Sequence, residues 1–385
     1  MDFSLTGDQV LIRDAVREVC ARFPGRYWRE LEARGEYPAE FVTEMTRLGW
    51  LSVLIPADYG GGGLGVTEAC VILEEIHRSG GNGNACHAQL YTMGALARHG
   101  SEEQKRRYLP ALAAGELRLQ AFGITEPDAG SDSTRISTRA ERDGDAFVIT
   151  GQKTFISRAE QTDLMLLLAR TAPAAPGERA TGLSLFLADL REAAGTVETR
   201  RIPLMFNYHT YQVFFSGLRV PAGNLIGAEG RGFSYVLDGF NAERCLLASE
   251  AIGDGLFFLD RASEYASRRE VFGRPIGANQ GVAFPLAQAK ARVEAASLLR
   301  FKAASLFDAG KPCGAEANMA KLLASQASAE AGNAAMHAFG GNAFAAEYDI
   351  ERKFRETKLL EIAPVSNNLV LAFLAQHVLG LPRSY

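Results

Sequence analysis

The sequence has no excess of basic residues and no long apolar run. It has 41 Lys and Arg residues and 45 Asp and Glu residues, so the formal net charge is −4 and the pI is near 6.0. Because binding to a phosphate backbone needs concentrated positive charge, nucleic acid is not an expected partner. No stretch of about 18 apolar residues occurs, so we expect no membrane span. The opening MDFSLTGDQV has no basic segment before an apolar one, so we expect no secretory signal.

Cysteine and histidine are scarce and scattered. The 5 cysteines include no Cys-x-x-Cys pair, and the 6 histidines lack the spacing of metal ligands. We therefore expect reduced thiols, a cytoplasmic location and no metal site.

Hydrophobic periodicity divides the 385 residues into three parts. Residues 1–120 and 231–385 follow a helical period, and residues 121–230 form short runs of period two. We predict an α+β fold with an N-terminal helical domain (1–120), a middle antiparallel β-barrel or sandwich domain (121–230) and a C-terminal helical bundle (231–385). Because strands and helices are segregated along the chain, a doubly wound fold is not expected.

Individual elements follow from local signals. Thr6-x-x-Gln9 is a capping box that predicts a helix start. Turns are predicted at Asp143-Gly144 and Gly151-Gln152. Predicted strands are Ile136–Ala140, Phe147–Thr150, Lys153–Ser157, Leu164–Arg170, Leu183–Asp189 and Val213–Val220. Predicted bundle helices are Ala242–Ser267, Phe284–Asp308, Ala315–Phe339 and Asn368–Leu379.

Two glycine-containing motifs are weak. Gly60-x-Gly62-x-x-Gly65 matches the dinucleotide pattern, but the apolar run before it ends at Pro56, and the acidic ribose ligand is missing at the required distance. We predict an ordinary glycine-rich loop there. Gly151-Gln-Lys-Thr lacks the glycine that precedes the lysine of a P-loop.

Four other segments each allow two interpretations. AFGITEPDAGSD (121–132) is either a loop whose backbone N–H groups hold an anionic or carbonyl-rich ligand or a plain connection into a strand. KTFIS (153–157) places a ring and a hydroxyl two residues apart, which suits a planar cofactor or core packing. YASRREVFGRPIGANQ (265–280) suits pyrophosphate binding or a solvated helix end. GFNAER (239–244) places a glutamate in a helix, where most glutamates lie on the surface.

Taken together, these segments resemble the acyl-CoA dehydrogenase family over nearly the whole chain. ITEPDAGSD is the most specific match. It is followed in the family's order by GQKTFIS (151–157), LRVPAGNLIGAEGRGF (218–233), RREVFGRPIGANQ (268–280) and AFGGNAFAAEY (338–348).

The resemblance implies FAD, bound non-covalently between the sheet domain and the C-terminal bundle. It implies that the flavin and its pyrophosphate are lined by Phe122, Ile124, Thr125 and Ser131, with the ring of Phe155 against the flavin and the hydroxyl of Ser157 near N5. The resemblance also implies a set of residues that reach the ADP half of a neighbouring subunit's FAD: Arg269, Phe272, Gln280, Gly340 and Gly341, together with His337, where many members have Gln. Ser366 and Asn368 are further flavin candidates.

The family's reaction needs a carboxylate that removes the α-proton of an acyl-CoA thioester while the β-hydride leaves to the flavin. Its pKa is expected to rise when the acyl chain closes the pocket. Many members carry this base in a stretch that here reads IAPVSNN (362–368), with Pro364 in the glutamate's place. A minority, including the isovaleryl and long-chain types, carry it on the bundle helix directly before an arginine, as Glu243 stands before Arg244.

Glu243 is therefore the predicted base, followed by Glu250 and then Glu361. Arg244 is expected to orient the acyl-CoA or Glu243, Asn241 to touch the pantetheine arm, and Ser131 to contact the substrate as well as the flavin.

The resemblance implies a lipid-metabolising oxidoreductase that forms a 2,3-enoyl-CoA, passes electrons to an electron-transferring flavoprotein and assembles as a homodimer or homotetramer. Two alternatives stay open: an enoyl-CoA reductase running in reverse, and a non-catalytic scaffold that binds flavin or acyl-CoA.

Overall fold

The computed structural model describes residues 4–383. Its helices are α1 (Gly7–Ala21), α2 (Gly25–Arg34), α3 (Ala39–Arg47), α4 (Val66–Arg78), α5 (Asn84–His99), α6 (Glu102–Ala114), α7 (Gly232–Arg268), α8 (Gln280–Asp308), α9 (Gly314–Phe339), α10 (Ile350–Thr357) and α11 (Asn367–Phe373). Its strands are β1 (Leu119–Gly123), β2 (Arg139–Asp143), β3 (Ala146–Ser157), β4 (Leu164–Arg170), β5 (Leu183–Asp189), β6 (Val197–Arg201), β7 (Thr210–Pro221), β8 (Leu225–Ile226), β9 (Glu270–Val271) and β10 (Arg274–Pro275).

The strands form one main sheet with the order β6-β7-β3-β2-β4-β5-β8, and β1 pairs with β4. Most pairings are antiparallel, as predicted, but β4 runs parallel to β1 and to β2. In each parallel pair, the chain between the two strands provides the long connection that such a pair requires. Apolar side chains from β3, β4, β5 and β7 fill the core of this sheet.

The strand predictions are correct in part. β4 and β5 have the predicted bounds, and the capping box at Thr6 is present. The turn predicted at Gly151-Gln152 is wrong, because β3 is a single strand that pairs with β7 on both sides of Gly151. The sequence also did not predict β1 or β6, and β2 lies later in the chain than the run assigned to it.

The chain forms two compact units. One contains the described residues of 1–36, 65–83 and 241–385, and the other contains residues 37–64 and 84–240. In the first unit, α7, α8 and α9 pack through a core that is rich in alanine, which allows helices to approach closely. The predicted division into three domains follows the change in periodicity and stays a prediction.

The loop between Gly60 and Gly65 does not have the geometry of a nucleotide site. The first N–H groups of α4 already have an acceptor, since Val66 N and Thr67 N donate to the carboxylate of Asp308 at 2.7 and 3.0 Å. A Cβ at Gly65 would lie 2.6 Å from that carboxylate, so the glycine is needed for its approach. The loop is glycine-rich for packing, in agreement with the sequence interpretation.

Candidate functional site

A buried lysine holds the segment that follows β1 against β3. Lys153 Nζ donates to the carbonyl oxygen of Ile124 at 3.0 Å and to Glu126 Oε1 at 2.9 Å. The backbone N–H of Thr154 donates to the carbonyl of Thr125 at 2.9 Å. The predicted flavin residues Ile124 and Thr125 therefore lie directly beside β3.

Glu126 is the acceptor that neutralises this lysine. It also accepts hydrogen bonds from Ser137 N at 2.7 Å and Thr138 N at 3.0 Å. Burial alone would raise the pKa of Glu126, but the charge of Lys153 and these hydrogen bonds lower it to about 2. Burial lowers the pKa of Lys153 to about 8, although the charge of Glu126 raises it.

Phe155 presents its ring on the surface of β3 in an unusual conformation. Its φ is +56°, in the left-handed region, and the side chain is 61% exposed. The β3–β7 ladder shifts register between Lys153 and Ile156, which turns this ring outward. An aromatic residue held in a strained conformation and left exposed is typical of a ligand platform. A flat cofactor fits this position.

The other predicted residues of the sheet differ in exposure. Ser157 is half-buried, with its Oγ 3.4 Å from Thr210 Oγ1. The half-buried ring of Phe122 lies 6.1 Å from that of Tyr91. Ser131 is exposed on the turn that follows Glu126.

Glu243 lies near the start of the 37-residue helix α7 and is only 4% exposed. The adjacent Arg244 donates from Nη1 to Asn241 Oδ1 at 3.3 Å. Burial lowers the pKa of Arg244, and the charge of Glu243 acts in the opposite direction. The predicted base, its arginine and the predicted pantetheine contact therefore form one group on α7.

The stretch that carries Ser366 and Asn368 is anchored on α9. Lys321 is buried, and its Nζ donates to Asn367 Oδ1 at 2.8 Å. Burial, helped by the charge of Arg244, lowers the pKa of Lys321 to about 8. Ser366 Oγ caps α11 by accepting from a backbone N–H, and Asn368 is exposed.

The two other candidate bases face cations. Glu250 is fully buried, with Oε1 3.7 Å from His77 Nε2. His77 Nδ1 lies 2.8 Å from Asp254 Oδ1. Burial lowers the pKa of His77, but the charge of that carboxylate outweighs burial and raises the pKa to about 9. Glu361 pairs with Lys358 at 3.5 Å near the surface. Of the three, Glu243 is the buried carboxylate whose sequence neighbour is the arginine expected to orient the substrate.

The predicted ADP-contacting residues approach each other at the far end of α7. Phe272 and Gly273 turn the β9–β10 hairpin with φ values of +53° and +76°, and the ring of Phe272 is fully exposed. Arg269 donates its backbone N–H to the carbonyl of Tyr265 at 2.8 Å. The ring of Tyr265 stacks on Phe339 with centroids 4.1 Å apart.

That stacking contact brings the hairpin to the end of α9, where the predicted residues His337, Gly340 and Gly341 lie. A cavity of about 590 Å³ opens between α8 and α9, and its lining includes His337 and Gly281, the residue after Gln280. Gly340 has φ +58°, a backbone conformation that favours glycine. Of the predicted ADP-contacting residues, His337 lines this cavity, and Gln280 directly precedes a lining residue.

The compact unit of residues 37–64 and 84–240 contains the main sheet and is called the sheet unit here. Its buried cations were not predicted from the sequence. Lys153 and Arg158 are both buried there. A lone lysine within a strand of β-formers was the only available signal for Lys153, and nothing in the sequence marked Arg158.

Within residues 4–383, no helix is long and apolar enough to cross a bilayer, and no group of three or more His, Cys, Asp or Glu could hold a metal.

Three family models match most of this chain. The acyl-CoA dehydrogenase N-terminal domain matches residues 6–116, the middle domain 121–216 and the C-terminal domain 230–379. The chain belongs to the acyl-CoA dehydrogenase family. It is therefore an oxidoreductase with the family's fold, and the resemblance inferred from its motifs is confirmed.

Relatives of known name agree with this assignment. An acyl-CoA dehydrogenase of Mycobacterium tuberculosis is 39% identical over 378 residues, which cover 97% of this chain and 96% of the relative. The structure of a glutaryl-CoA dehydrogenase in complex with glutaryl-CoA superposes with a TM-score of 0.93 at 31% identity, covering 100% of this chain and 98% of the other.

A third structure bears on the cofactor. The FAD complex of PigA superposes with a TM-score of 0.92 at 26% identity, covering 99% of this chain and 100% of that protein. As a member of this family, the protein is a flavoprotein that uses FAD. The exposed ring of Phe155 and the hydroxyl of Ser157 on β3 fit a flavin.

Proposed function

We propose that this enzyme removes two hydrogens from the α- and β-carbons of an acyl-CoA thioester, forming the 2,3-enoyl-CoA, with Glu243 as the catalytic base. The observation that supports Glu243 is its burial beside Arg244, combined with a proline, Pro364, where many family members carry their glutamate. No other carboxylate among the three candidates combines burial with that neighbour.

The proton transfer follows from the position of Glu243. Its carboxylate accepts the α-proton, and the electrons of that C–H bond become the carbon–carbon double bond as the β-hydride departs. FAD, when bound, supplies the acceptor for that hydride. Because Glu243 is buried, water competes poorly for its carboxylate, which favours proton transfer from carbon.

Arg244 and Asn241 position the substrate and the base in this proposal. Their mutual hydrogen bond of 3.3 Å holds the guanidinium along α7, one residue after Glu243. The charge of this half-buried guanidinium favours the ionised form of the carboxylate before the thioester enters. We expect Asn241 to donate its amide N–H groups to an amide oxygen of the pantetheine arm.

Electron acceptor and assembly complete the proposal. We expect the reduced enzyme to pass its electrons to an electron-transferring flavoprotein. The fully exposed Phe272 on the β9–β10 hairpin supports assembly into a homodimer or homotetramer in which this ring contacts a neighbouring subunit.

Anaerobic mixing of the FAD-loaded protein with a panel of acyl-CoAs tests this function. A dehydrogenase bleaches the visible absorption band of oxidised flavin and forms the enoyl-CoA, which chromatography detects. A shift of the band without bleaching, in protein whose flavin a chemical reductant still bleaches, would show binding without the proposed reaction.

A further inference from the structure

The guanidinium of Arg158 is a buried charge without a carboxylate partner. The residue is 6% exposed and has φ +60°, in the left-handed region. Among residues 4–383, no Asp or Glu oxygen forms an ion pair with it, and its buried Nε donates to no protein atom. The other buried Lys or Arg among the described residues of this unit, Lys153, is neutralised by Glu126. A buried unneutralised charge in a strained backbone is costly and marks a functional position.

Aromatic hydroxyl-bearing side chains surround this guanidinium. It lies 5.1 Å from the ring centre of Tyr208. Burial lowers the pKa of Arg158, but its neighbours Tyr208, Tyr91 and Tyr37 raise it above its ordinary value. Burial raises the pKa of Tyr37 to about 12, so this phenol stays protonated and remains a hydrogen-bond donor. The cluster therefore offers positive charge and O–H groups.

A second donor in the same cluster lacks an acceptor. The hydroxyl of Tyr37 donates to Gln120 Oε1 at 2.7 Å. This bond directs the other end of the amide, Nε2, into the protein, where it is buried and has no acceptor. Arg158 Nε and Gln120 Nε2 are thus two buried donors, and Tyr37 both hydrogen-bonds the amide of Gln120 and acts electrostatically on Arg158. Since buried donors are almost always satisfied in proteins, the pair points to a missing acceptor that carries negative charge.

The cluster lies beside two residues that are predicted to contact the flavin, Phe122 and Ser157. Tyr91 lies on α5 with its ring 6.1 Å from that of Phe122, and Arg158 directly follows Ser157 in the chain. An acyl group whose α- and β-carbons react at the flavin would extend into this neighbourhood. The planar fork of a guanidinium matches the two oxygens of a carboxylate.

We propose that Arg158, with Gln120 and the surrounding tyrosines, binds a carboxylate at the end of the substrate's acyl group. The substrate class is then a CoA thioester of a dicarboxylic acid. This inference rests on the proposed dehydrogenation and names its substrate. An apolar acyl end would leave both donors and the charge unsatisfied.

Paired substrates of equal carbon number test the proposal. Succinyl-, glutaryl- and adipyl-CoA are compared with butyryl-, pentanoyl- and hexanoyl-CoA by anaerobic flavin reduction. We expect kcat/KM to favour at least one carboxylated member by on the order of a hundredfold. Arg158→Gln should remove that preference and leave the neutral substrates within a fewfold of wild type, and Arg158→Lys should restore part of it.

Arg200→Gln is the matched control. Arg200 also lies over an aromatic ring, 4.8 Å from the centre of Phe214, but its side chain is exposed. This variant should retain the wild-type preference. Circular dichroism and flavin absorbance establish that each variant is folded and loaded.

A binding measurement separates the outcomes. Glutarate, pentanoate and chloride are titrated onto the wild type and the variants, and the melting temperature is followed. The proposal predicts stabilisation by glutarate that Arg158→Gln loses, even if no thioester bleaches the flavin and the proposed function fails. Equal stabilisation by chloride would mean an adventitious ion only. Oxidation of the neutral acyl-CoAs as efficient as that of their carboxylated counterparts, with a ratio of kcat/KM values that Arg158→Gln does not change, would refute the carboxylate site and leave the dehydrogenase intact.

Discussion

Lys153 and Glu126 form a buried ion pair, with Nζ and Oε1 2.9 Å apart inside the sheet unit. Lys153 also hydrogen-bonds the carbonyl of Ile124, so this ammonium group helps to hold a predicted flavin residue against β3. The pair therefore connects the stability of the sheet with the shape of the cofactor surface.

Replacing Lys153 by methionine should be strongly destabilising. The change leaves the Glu126 carboxylate buried without its cation and releases the carbonyl of Ile124, which costs about 3–5 kcal/mol of unfolding free energy. Urea denaturation measures this loss, and FAD titration should show weaker binding. Lys105→Met removes a surface pair with Glu102 and should cost under about 1 kcal/mol. Equal effects of the two variants would contradict the role of Lys153.

The same pair predicts how stability depends on pH. The pKa of Glu126 is about 2 in the folded protein against an ordinary value of 4.5, so its stabilising contribution is present above pH 4.5 and is lost as the pH falls towards 2. The loss is on the order of 3 kcal/mol. The difference in unfolding free energy between wild type and Glu126→Gln should therefore shrink across this window. A difference that does not change with pH would disprove the assignment.

Glu243→Gln should abolish most of the catalysis without loss of the cofactor. The amide has nearly the same shape but cannot accept the α-proton, so flavin reduction by the best acyl-CoA should slow by on the order of a thousandfold. Stopped-flow absorbance measures the rate. Glu264→Gln, an exposed change on the same helix, should reduce normally. Near-normal reduction by Glu243→Gln would remove Glu243 from the role of base.

Phe155→Gly should change stability and cofactor affinity in opposite directions. Glycine adopts φ +56° without strain, so the cofactor-free protein should become more stable by about 1 kcal/mol. Loss of the exposed ring should at the same time weaken FAD binding, measured by flavin fluorescence. Phe155→Ala, which loses the ring but keeps the strained backbone, should weaken FAD binding without the gain in stability. Unchanged FAD affinity in both variants would show that the ring is not a flavin platform.

Phe272→Ser should weaken assembly and leave the fold intact. The ring of Phe272 is fully exposed at the tip of its hairpin, so its removal costs the monomer little. Light scattering after size-exclusion chromatography should show a shift towards smaller species. Leu11→Ser, at another exposed apolar position, should leave the assembly unchanged. An oligomer of wild-type size and stability in Phe272→Ser would place the subunit contact elsewhere.

Elements with strong local signals were predictable. β4 and β5 are nearly continuous apolar runs. Their bounds agree with the prediction because a strand that is buried on both faces is marked in the sequence by such a run. The N-terminus of α1 was readable from its capping box, which involves neighbouring residues only. By contrast, Gly151 signals a turn locally, and its extended conformation comes from pairing with β7, more than sixty residues away in the chain.

The amino-acid order by itself determined the family, the succession of helical and sheet segments, and the placement of Glu243 before Arg244 with Pro364 in the alternative position. The tertiary structure alone decided which of these groups are removed from water and what faces them. It buried Glu243, neutralised Lys153 with Glu126, and left Arg158 without a carboxylate. The physical reason is that the energy of a charged group depends on burial and on partners that are distant in the chain, and these are established only when the elements pack.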